Sequence, residues 1–437
     1  MILPEYVRRC IDALEQKGFS CYAVGGCVRD ALLGLTPHDY DLCTDALPEE
    51  MQAVFAGCRL VLAGQKHGTV GVVTEGGVVE ITTFRTEGDY ADSRHPGWVK
   101  FVRHIEGDLS RRDFTVNAMA YSPTRGFADP FGGRQDLQNR ILRAVGDANE
   151  RFAEDALRIL RGVRFAVRYQ LTADPDTMTA MVRHAPLLDK IARERVFDEL
   201  CKLLPLVNAE DLCTYAPILI QVVPELAPTI GFQQHNAHHR FDVFTHTAHV
   251  AAAAPGELSL RWAALLHDIG KVSTFTMDEQ GQGHFYGHAE VSAKMAEEIL
   301  LRLKAPTALR EDVVFLIARH MVLLEPERKA LRRRLSKWGA VRLEKLLALQ
   351  KADFCSKGVT SDSYPFEETE TLLKALVEES SCLNLKDLAV NGHDLMALGL
   401  EGCAIGACLN RLLLQVLEEE IPNEKAALLD AARRSMV

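Results

Sequence analysis

The sequence predicts an α+β protein: a small mixed-sheet head, then an all-α body, a second helical domain and a helical tail. Three observations carry that prediction. Alternation of apolar and polar residues, the mark of half-buried strands, is confined to the first third of the chain. From about Glu150 onward the apolar pattern is helical and stays so. A length of 437 residues also exceeds what one hydrophobic core organises. The expected boundaries are 1–148, 149–230, 231–360 and 361–437.

Bulk properties narrow the class. The chain is 47% apolar and 25% charged, the composition of an ordinary folded domain rather than a disordered one. It has no basic segment followed by an apolar core at its start, and no apolar run long enough to span a bilayer. No membrane role is therefore expected. Eleven cysteines, an odd total without a C-x-x-C, fit reduced thiols and a cytoplasmic location better than a disulfide framework. The net charge of −10 argues mildly against bulk attraction to nucleic acid. Clusters at Arg111-Arg112, at Arg158, Arg161, Arg164 and Arg168, and at Arg332-Arg333-Arg334 still allow local positive grooves. Oligomeric state is left open.

Residues 3–18 read as an amphipathic helix with Val7, Ile11 and Leu14 on one face and Gly18 at its end. Cys21–Val24 is the end of a strand, and residues 27–33 form a short helix closed by Gly34. Between them stands Gly25-Gly26. Paired glycines at such a turn let backbone N–H groups approach an anion, so a phosphate is the natural guest. Asp39-Tyr40-Asp41 follows. In an extended segment, residues two apart point to the same side, so both carboxylates face one point, and a divalent cation relieves their repulsion. Alone, a D-x-D is most often a solvated turn. Joined to the glycine turn, it points to metal-assisted phosphoryl or nucleotidyl transfer.

A helix is expected at residues 48–55 and strands across residues 59–86, with Gly76-Gly77 as a hairpin turn. Glu80 lies in the last strand. It is either the third carboxylate of a metal site or a charge that protects a sheet edge, and both readings stand at this point. Residues 87–98 are polar and rich in turn formers, as in a mobile loop that closes over a substrate. Ser110 with Asp113 three later resembles a capping box. The adjacent arginines at a helix N-terminus would suit triphosphate binding. Asp129 to Gly133, DPFGG, is a turn closing the strand-rich region.

On a helix over residues 154–164, Asp155 and Arg158 would share a face and offer acceptors and donors to the edge of a base. An ordinary surface ion pair is the plain alternative. Arg161 borders that face. Arg164 lies roughly opposite Asp155, better placed for a phosphate or an interdomain contact. Residues 170–228 are a helical connector punctuated by prolines.

Residues 232–355 carry different chemistry. His246, the pair His267-Asp268 on an apolar helix that breaks at Gly270, His288, His320 and Asp353 follow in order. A His-Asp pair on a buried helix is costly without a partner, and a metal at a hydrolytic centre is the usual solution. His235, His238, His239, His249 and His284 fit no such order, and a satisfied structural role is expected for each.

With these residues in hand, the first half of the chain resembles the class II CCA-adding enzymes and bacterial poly(A) polymerases. GGCVRDALLG, the D-Y-D pair, VEITTFR, DYADSRHP, RRDFTVNAMAY, DPFGG and EDALRILRGVRFAVR carry the resemblance across residues 20–230. Residues 240–355 resemble the HD phosphohydrolase superfamily, and the last segment the tail of its HD-containing members, with Cys403 standing where proline is expected. The resemblance implies that Asp39 and Asp41 bind Mg2+, with Glu80 as the third carboxylate. It implies that Gly26, Arg29 and Arg112 contact the nucleotide, and that Asp155 and Arg158 read CTP and ATP with Arg161 and Arg164 in support. His246, His267, Asp268, His288, His320 and Asp353 would hold a divalent metal of unspecified identity.

The function this implies is template-independent addition of C, C and A to the 3′ end of tRNA from CTP and ATP, with a possible HD phosphohydrolase activity. Addition of A alone, poly(A) synthesis, or an HD phosphohydrolase with an RNA-binding head are the competing readings. The intact loop argues against a C-only enzyme, and the preserved carboxylates argue against an inert head.

Overall fold

The computed structural model describes residues 1–88, 98–236, 240–357, 364–379 and 382–435. The chain divides into two compact units. The first comprises Met1–Leu206 with Thr214–Pro224, and the second Val207–Cys213 with Glu225–Val437.

The first unit opens with helix α1 (Glu5–Glu15), which buries Val7, Cys10, Ile11 and Leu14. Strand β1 (Cys21–Val24) runs into α2 (Gly26–Leu32), and β2 (Asp41–Thr44) is followed by α3 (Pro48–Val54). Then come β3 (Leu60–Val61), β4 (Thr69–Thr74), β5 (Gly77–Thr83), and a separate ribbon of β6 (Arg85–Gly88) with β7 (Trp98–Phe101). The loop expected over residues 87–98 falls, for residues 89–97, outside the described residues. After α4 (Ile105–Ser110), strands β8 (Ala120–Ser122) and β9 (Gly126–Ala128) complete a seven-stranded sheet of order β3-β4-β5-β2-β1-β8-β9. Only β2 and β5 pair in parallel, so the sheet is mixed. Asp129 accepts from the Gly133 and Arg134 N–H groups, turning the chain into α5 (Gly133–Gln138). A core of Val24, Cys43, Phe84, Leu109, Ala118 and Ala120 lies beneath β1 and β2.

A two-residue parallel bridge of β10 (Ile141–Leu142) and β11 (Thr172–Ala173) brackets α6 (Ala148–Glu154) and α7 (Leu157–Tyr169). The remaining helices up to Val222 are α8 (Pro175–His184), α9 (Arg193–Leu203), α10 (Ala209–Thr214), which apart from Thr214 belongs to the second unit, and α11 (Ala216–Val222). Gly162 on α7 is packed so closely that an added Cβ would meet the Phe114 ring at 2.8 Å.

The second unit is helical apart from one short hairpin. Its elements are α12 (Val243–Ala253), α13 (Leu258–Leu266), α14 (Lys271–Thr274), the hairpin of β12 (Thr276–Met277) and β13 (Gly283–His284), α15 (His288–Arg302), α16 (Thr307–Arg319), α17 (Arg328–Trp338) and α18 (Ala340–Cys355). The tail continues as α19 (Phe366–Glu379), α20 (Gly392–Met396), α21 (Cys403–Leu417) and α22 (Lys425–Arg434). Leu395, Cys408, Leu412, Val416 and Leu428 give the tail its own core. Cys403 is the first residue of α21, the position that also suits proline. Among the described residues, which include all eleven cysteines, no disulfide forms.

Candidate active sites in the two units

In the first unit, Asp41 opens β2 and stands in parallel register with Glu80 on β5. Because β4 and β2 flank β5, Glu80 lies on an interior strand. The edge-protecting reading of Glu80 is thereby corrected: a charge there guards no edge. Tyr40, between the two aspartates, packs edge-on against Tyr6 at 6.4 Å. Asp39, Asp41 and Glu80 all keep exposed surface. Desolvation by the surrounding protein raises the Asp41 carboxyl above the ordinary range, and repulsion from Glu80 and Asp39 raises it further against the pull of Arg112. A carboxylate held beside two others suits a divalent cation, which relieves their repulsion.

The glycine turn shows which glycine is required. Gly25 adopts φ +74°, and a Cβ there would lie 2.8 Å from Arg112 Nη1. Gly26 starts α2 with no such crowding. Arg112 therefore lies across Gly25, where its Nη2 donates to Asp108 Oδ2 at 3.2 Å. Its buried Nε–H has no hydrogen-bond acceptor among the described residues, a donor free for an anion.

Two expectations about this segment are corrected. Ser110 ends α4 and donates to the Gly107 carbonyl, so it caps nothing downstream. Arg111 and Arg112 follow a helix C-terminus, where cations complement the dipole, and both pair with the buried Asp108. Burial would raise the Asp108 carboxyl, but the two guanidiniums outweigh it and hold it below its usual range.

Arg29 is only 5% exposed. It donates to Asp30, Asn117 Oδ1 and the Tyr169 hydroxyl, with its guanidinium 4.1 Å from the Tyr169 ring centroid. The expected nucleotide ligand is thus a buried tie between α2 and α7. Asn117, which the sequence did not single out, passes the link to Asp113 through its Nδ2 at 3.0 Å. Asp113 Oδ2 then accepts from Arg161 Nε and Nη2 at 2.9 and 2.8 Å. Burial opposes the Asp113 charge, yet Arg161 and Asn117 prevail and lower its pKa to about 2.

The pair expected to share a helix face is arranged differently. Asp155 has extended dihedrals (φ −141°, ψ 101°) between α6 and α7, outside either helix. Its Oδ1 accepts from the Leu157 N–H and its Oδ2 from Arg195 at 3.1 Å. An Asp that bonds to a backbone N–H two residues on favours such a break over a helix interior. Arg158, nearly buried, donates to Glu154 at 2.7 Å and to the carbonyls of Arg151 and Arg111. Arg164 pairs with Glu199 at 2.6 Å and covers the Phe165 ring, a contact inside this unit rather than between domains.

In the second unit, α12, α13 with its following turn, α15, α16 and α18 bring His246, His267, Asp268, His288, His320 and Asp353 together. Gly270 permits this: a Cβ there would meet the His288 carbonyl at 2.8 Å. The Nδ1 atoms of His267, His288 and His320 lie 2.7–2.8 Å from the carbonyls of Ala264, Phe285 and Ile317. His246 Nδ1 lies 3.4 Å from the Ser356 carbonyl. Where Nδ1 donates to such a carbonyl, the Nε2 lone pair turns inward, the tautomer that a metal takes. Asp268 Oδ2 lies 3.6 and 3.2 Å from the Nε2 atoms of His246 and His267, while its Oδ1 lies 3.4 and 4.0 Å from those of His288 and His320. Two three-residue groups with metal-ligand spacing thus share Asp268. Asp353 Oδ1 adds a contact of 3.0 Å to His246.

Burial lowers His320 to about 4 and lowers His288, keeping both neutral and ready to coordinate. Burial opposes the charge on Asp268 too, but His267 and Lys271 hold it well below its usual range. Lys271, missed in the sequence, is buried with its Nζ 2.8 Å from both Asp268 and Gln234. Its signal was the lysine completing HDIGK. Of the histidines outside the order, His249 stacks on Phe241, His235 lies beside Phe275, and His284 meets Asp278. His238 and His239 lie outside the described residues.

Comparison with known proteins places these sites in a family. Residues 21–143 match the Poly A polymerase head domain, 170–212 the probable RNA and SrmB-binding site of polymerase A, and 237–357 the HD domain. The CCA-adding enzyme of Levilactobacillus brevis is 35% identical over 98% of this chain and 97% of its own length. The chain belongs to the CCA-adding enzymes. Membership makes it a nucleotidyltransferase with an HD domain. The CCA-adding enzyme of Streptococcus mutans is 34% identical over 99% of this chain and 98% of its own. The solved CCA-adding enzyme of Bacillus stearothermophilus, in complex with CTP, shares the fold at a TM-score of 0.75 and 30% identity, covering 100% of this chain and 99% of that one. Among the described residues, no helix of this CCA-adding enzyme is long and apolar enough to cross a membrane.

Proposed function

We propose that this CCA-adding enzyme extends tRNA 3′ ends by C, C and A from CTP and ATP, in the cytoplasm and without a nucleic-acid template. The register of Asp41 with Glu80, beside Asp39, carries the reading. In each cycle the tRNA 3′ oxygen bonds to the α-phosphorus, the bond to the bridging oxygen breaks and pyrophosphate leaves, while the hydroxyl proton passes to Glu80 or to solvent water. Asp39, Asp41 and Glu80 would hold Mg2+, which when bound lowers the hydroxyl pKa and neutralises phosphate charge. Arg112 offers its free Nε–H to a phosphate. Gly25, rather than Gly26, makes room for it, and Arg29 supports α2 from below.

For base choice, Asp155 and Arg158 would exchange Arg195 and Glu154 for the Watson–Crick edge of the incoming nucleotide. Arg161 and Arg164, tied to Asp113 and Glu199, steady α7. The solved relative bound to CTP supports a nucleotide site, and the relatives' names favour CCA addition over A addition or poly(A) synthesis. We assign nucleotide transfer to residues 1–148, base reading to 149–230, the HD chemistry to 231–360, and a separate helical tail to 361–437. Asp39→Ala tests the assignment: incorporation should vanish with tRNA binding near normal, and retained incorporation contradicts it.

A second activity is favoured by the inward-facing Nε2 atoms around Asp268. We propose that the HD site hydrolyses phosphate esters: a water oxygen bonds to phosphorus, the ester P–O bond breaks, and the departing oxygen takes a proton. The four histidines, Asp268 and Asp353 would hold divalent metal, which when bound supplies hydroxide near neutral pH. Lys271 anchors Asp268 and presents positive charge to the same cavity.

A further inference from the structure

The HD cluster opens into a cavity of about 270 Å³. Its lining combines Asp268, His288, His320, Asp353, Lys271 and Lys357 with the stretch from Gln282 to Tyr286. That stretch includes β13 of the β12–β13 hairpin, where Thr276 pairs with His284 and Met277 with Gly283. Just beyond it the chain splits two aromatic residues between inside and outside. Phe285 turns inward against Phe275 at 5.5 Å, with the Lys271 amine 5.3 Å from its ring centre. Tyr286 turns outward and is 78% exposed.

Tyr286 is not a loose surface ring. It lies parallel to His284, with centroids 5.4 Å apart and planes within 7°. His284 Nε2 is in turn held 2.8 Å from Asp278 Oδ2. Asp278, His284 and Tyr286 therefore form a braced aromatic ledge, and both rings line the cavity that reaches the metal-ligating residues. A flat, exposed, pre-oriented ring beside a phosphate-handling centre suits the π-face of a nucleobase.

We infer that Tyr286 is the stacking platform for a nucleobase, so that the HD site selects nucleotide esters over simple phosphate esters. This inference rests on the phosphohydrolase reading of the site. The ester phosphorus lies toward Asp268 and the base lies on Tyr286. Lys271 and Lys357 supply positive charge along the way.

The test uses the full-length protein loaded with divalent metal, and compares adenosine 2′,3′-cyclic phosphate with the base-free glycerol 1,2-cyclic phosphate. Tyr286→Ala should raise KM for the adenosine ester about tenfold. It should leave KM for the glycerol ester and both kcat values unchanged. Tyr286→Phe, which keeps the ring, should behave as wild type. A Tyr286→Ala effect that is equal on both esters, or absent, overturns the platform. If wild type hydrolyses neither ester, the phosphohydrolase reading fails, and calorimetric binding of adenosine 2′,3′-cyclic phosphate decides instead. About tenfold weaker binding by Tyr286→Ala sustains the platform, and unchanged binding overturns it.

Discussion

Asp41 and Glu80, thirty-nine positions apart, face each other across the parallel strand pair β2–β5 of the head sheet. Two acidic side chains at matched positions on adjacent strands repel unless a cation lies between them. On the proposed function, that arrangement is where a metal-dependent reaction would take place, at the start of β2. Glu80→Gln should lower the rate of CMP incorporation by about 100-fold or more, with KM for CTP changed by less than about threefold. Single-turnover kinetics measure both. A variant within threefold of wild type would remove Glu80 from the site.

Gly25→Ala forces a side chain into a left-handed backbone and against Arg112. Loss of the Arg112 donor should raise KM for both CTP and ATP by about tenfold or more. Gly26→Ala should stay within about twofold, since its Cβ meets nothing closer than Arg29 Nη2 at 3.6 Å. Steady-state incorporation with each nucleotide separates the two glycines; equal effects would contradict the placement of Arg112.

Asp113 gives a pH signature. Its pKa falls from 3.8 to about 2 on folding. A depressed carboxyl contributes stability that is fully present above about pH 4 and is lost as pH falls through about 2. Asp113→Asn should therefore cost about 2 kcal/mol at pH 7, a deficit that shrinks toward zero near pH 2. Urea denaturation across that range reads it. A deficit independent of pH would mean that the Arg161 ion pair is not its source.

Asp155 predicts a fidelity effect. Asp155→Ala or Arg158→Ala should raise misincorporation of UMP and GMP, because the base edge loses its partners. Arg195→Ala removes only the partner that holds Asp155, and should leave fidelity near wild type. Competition assays with mixed nucleotides give the ratios. Fidelity unchanged in Asp155→Ala would move base choice elsewhere.

Removing an HD ligand should separate the two activities. His288→Ala should lose ester hydrolysis and bound metal, measured by elemental analysis, while nucleotide incorporation stays near wild type. Intact metal content in that variant would exclude His288 from the ligand set.

How much of this was legible in the sequence depended on the range of the interactions. An apolar run marks β1, alternation across residues 59–86 marks β4 and β5, and the order of histidines and aspartates marks the HD cluster. Glu80 stayed ambiguous because a sequence does not say whether a strand is interior. Asp155 lies between strong helix formers, so local propensity favoured an unbroken helix; a tertiary ion pair with Arg195 and its own bond to Leu157 override it. Tyr169 and Asn117, far along the chain, hold Arg29 inside, a contact that no local pattern shows. Arg111 and Arg112 were placed at the wrong end of a helix, because Asp108 one turn earlier draws them to its C-terminus.

Nucleotide choice by protein side chains around one carboxylate centre has a direct measurement. Purified protein is incubated with tRNA ending at the discriminator base, with CTP, ATP, or both, and the 3′ ends are sequenced. The expected result is C-C with CTP alone, no extension with ATP alone, and C-C-A with both. Addition of A to a C-C end without any addition of C, or long A tracts from ATP alone, would contradict it.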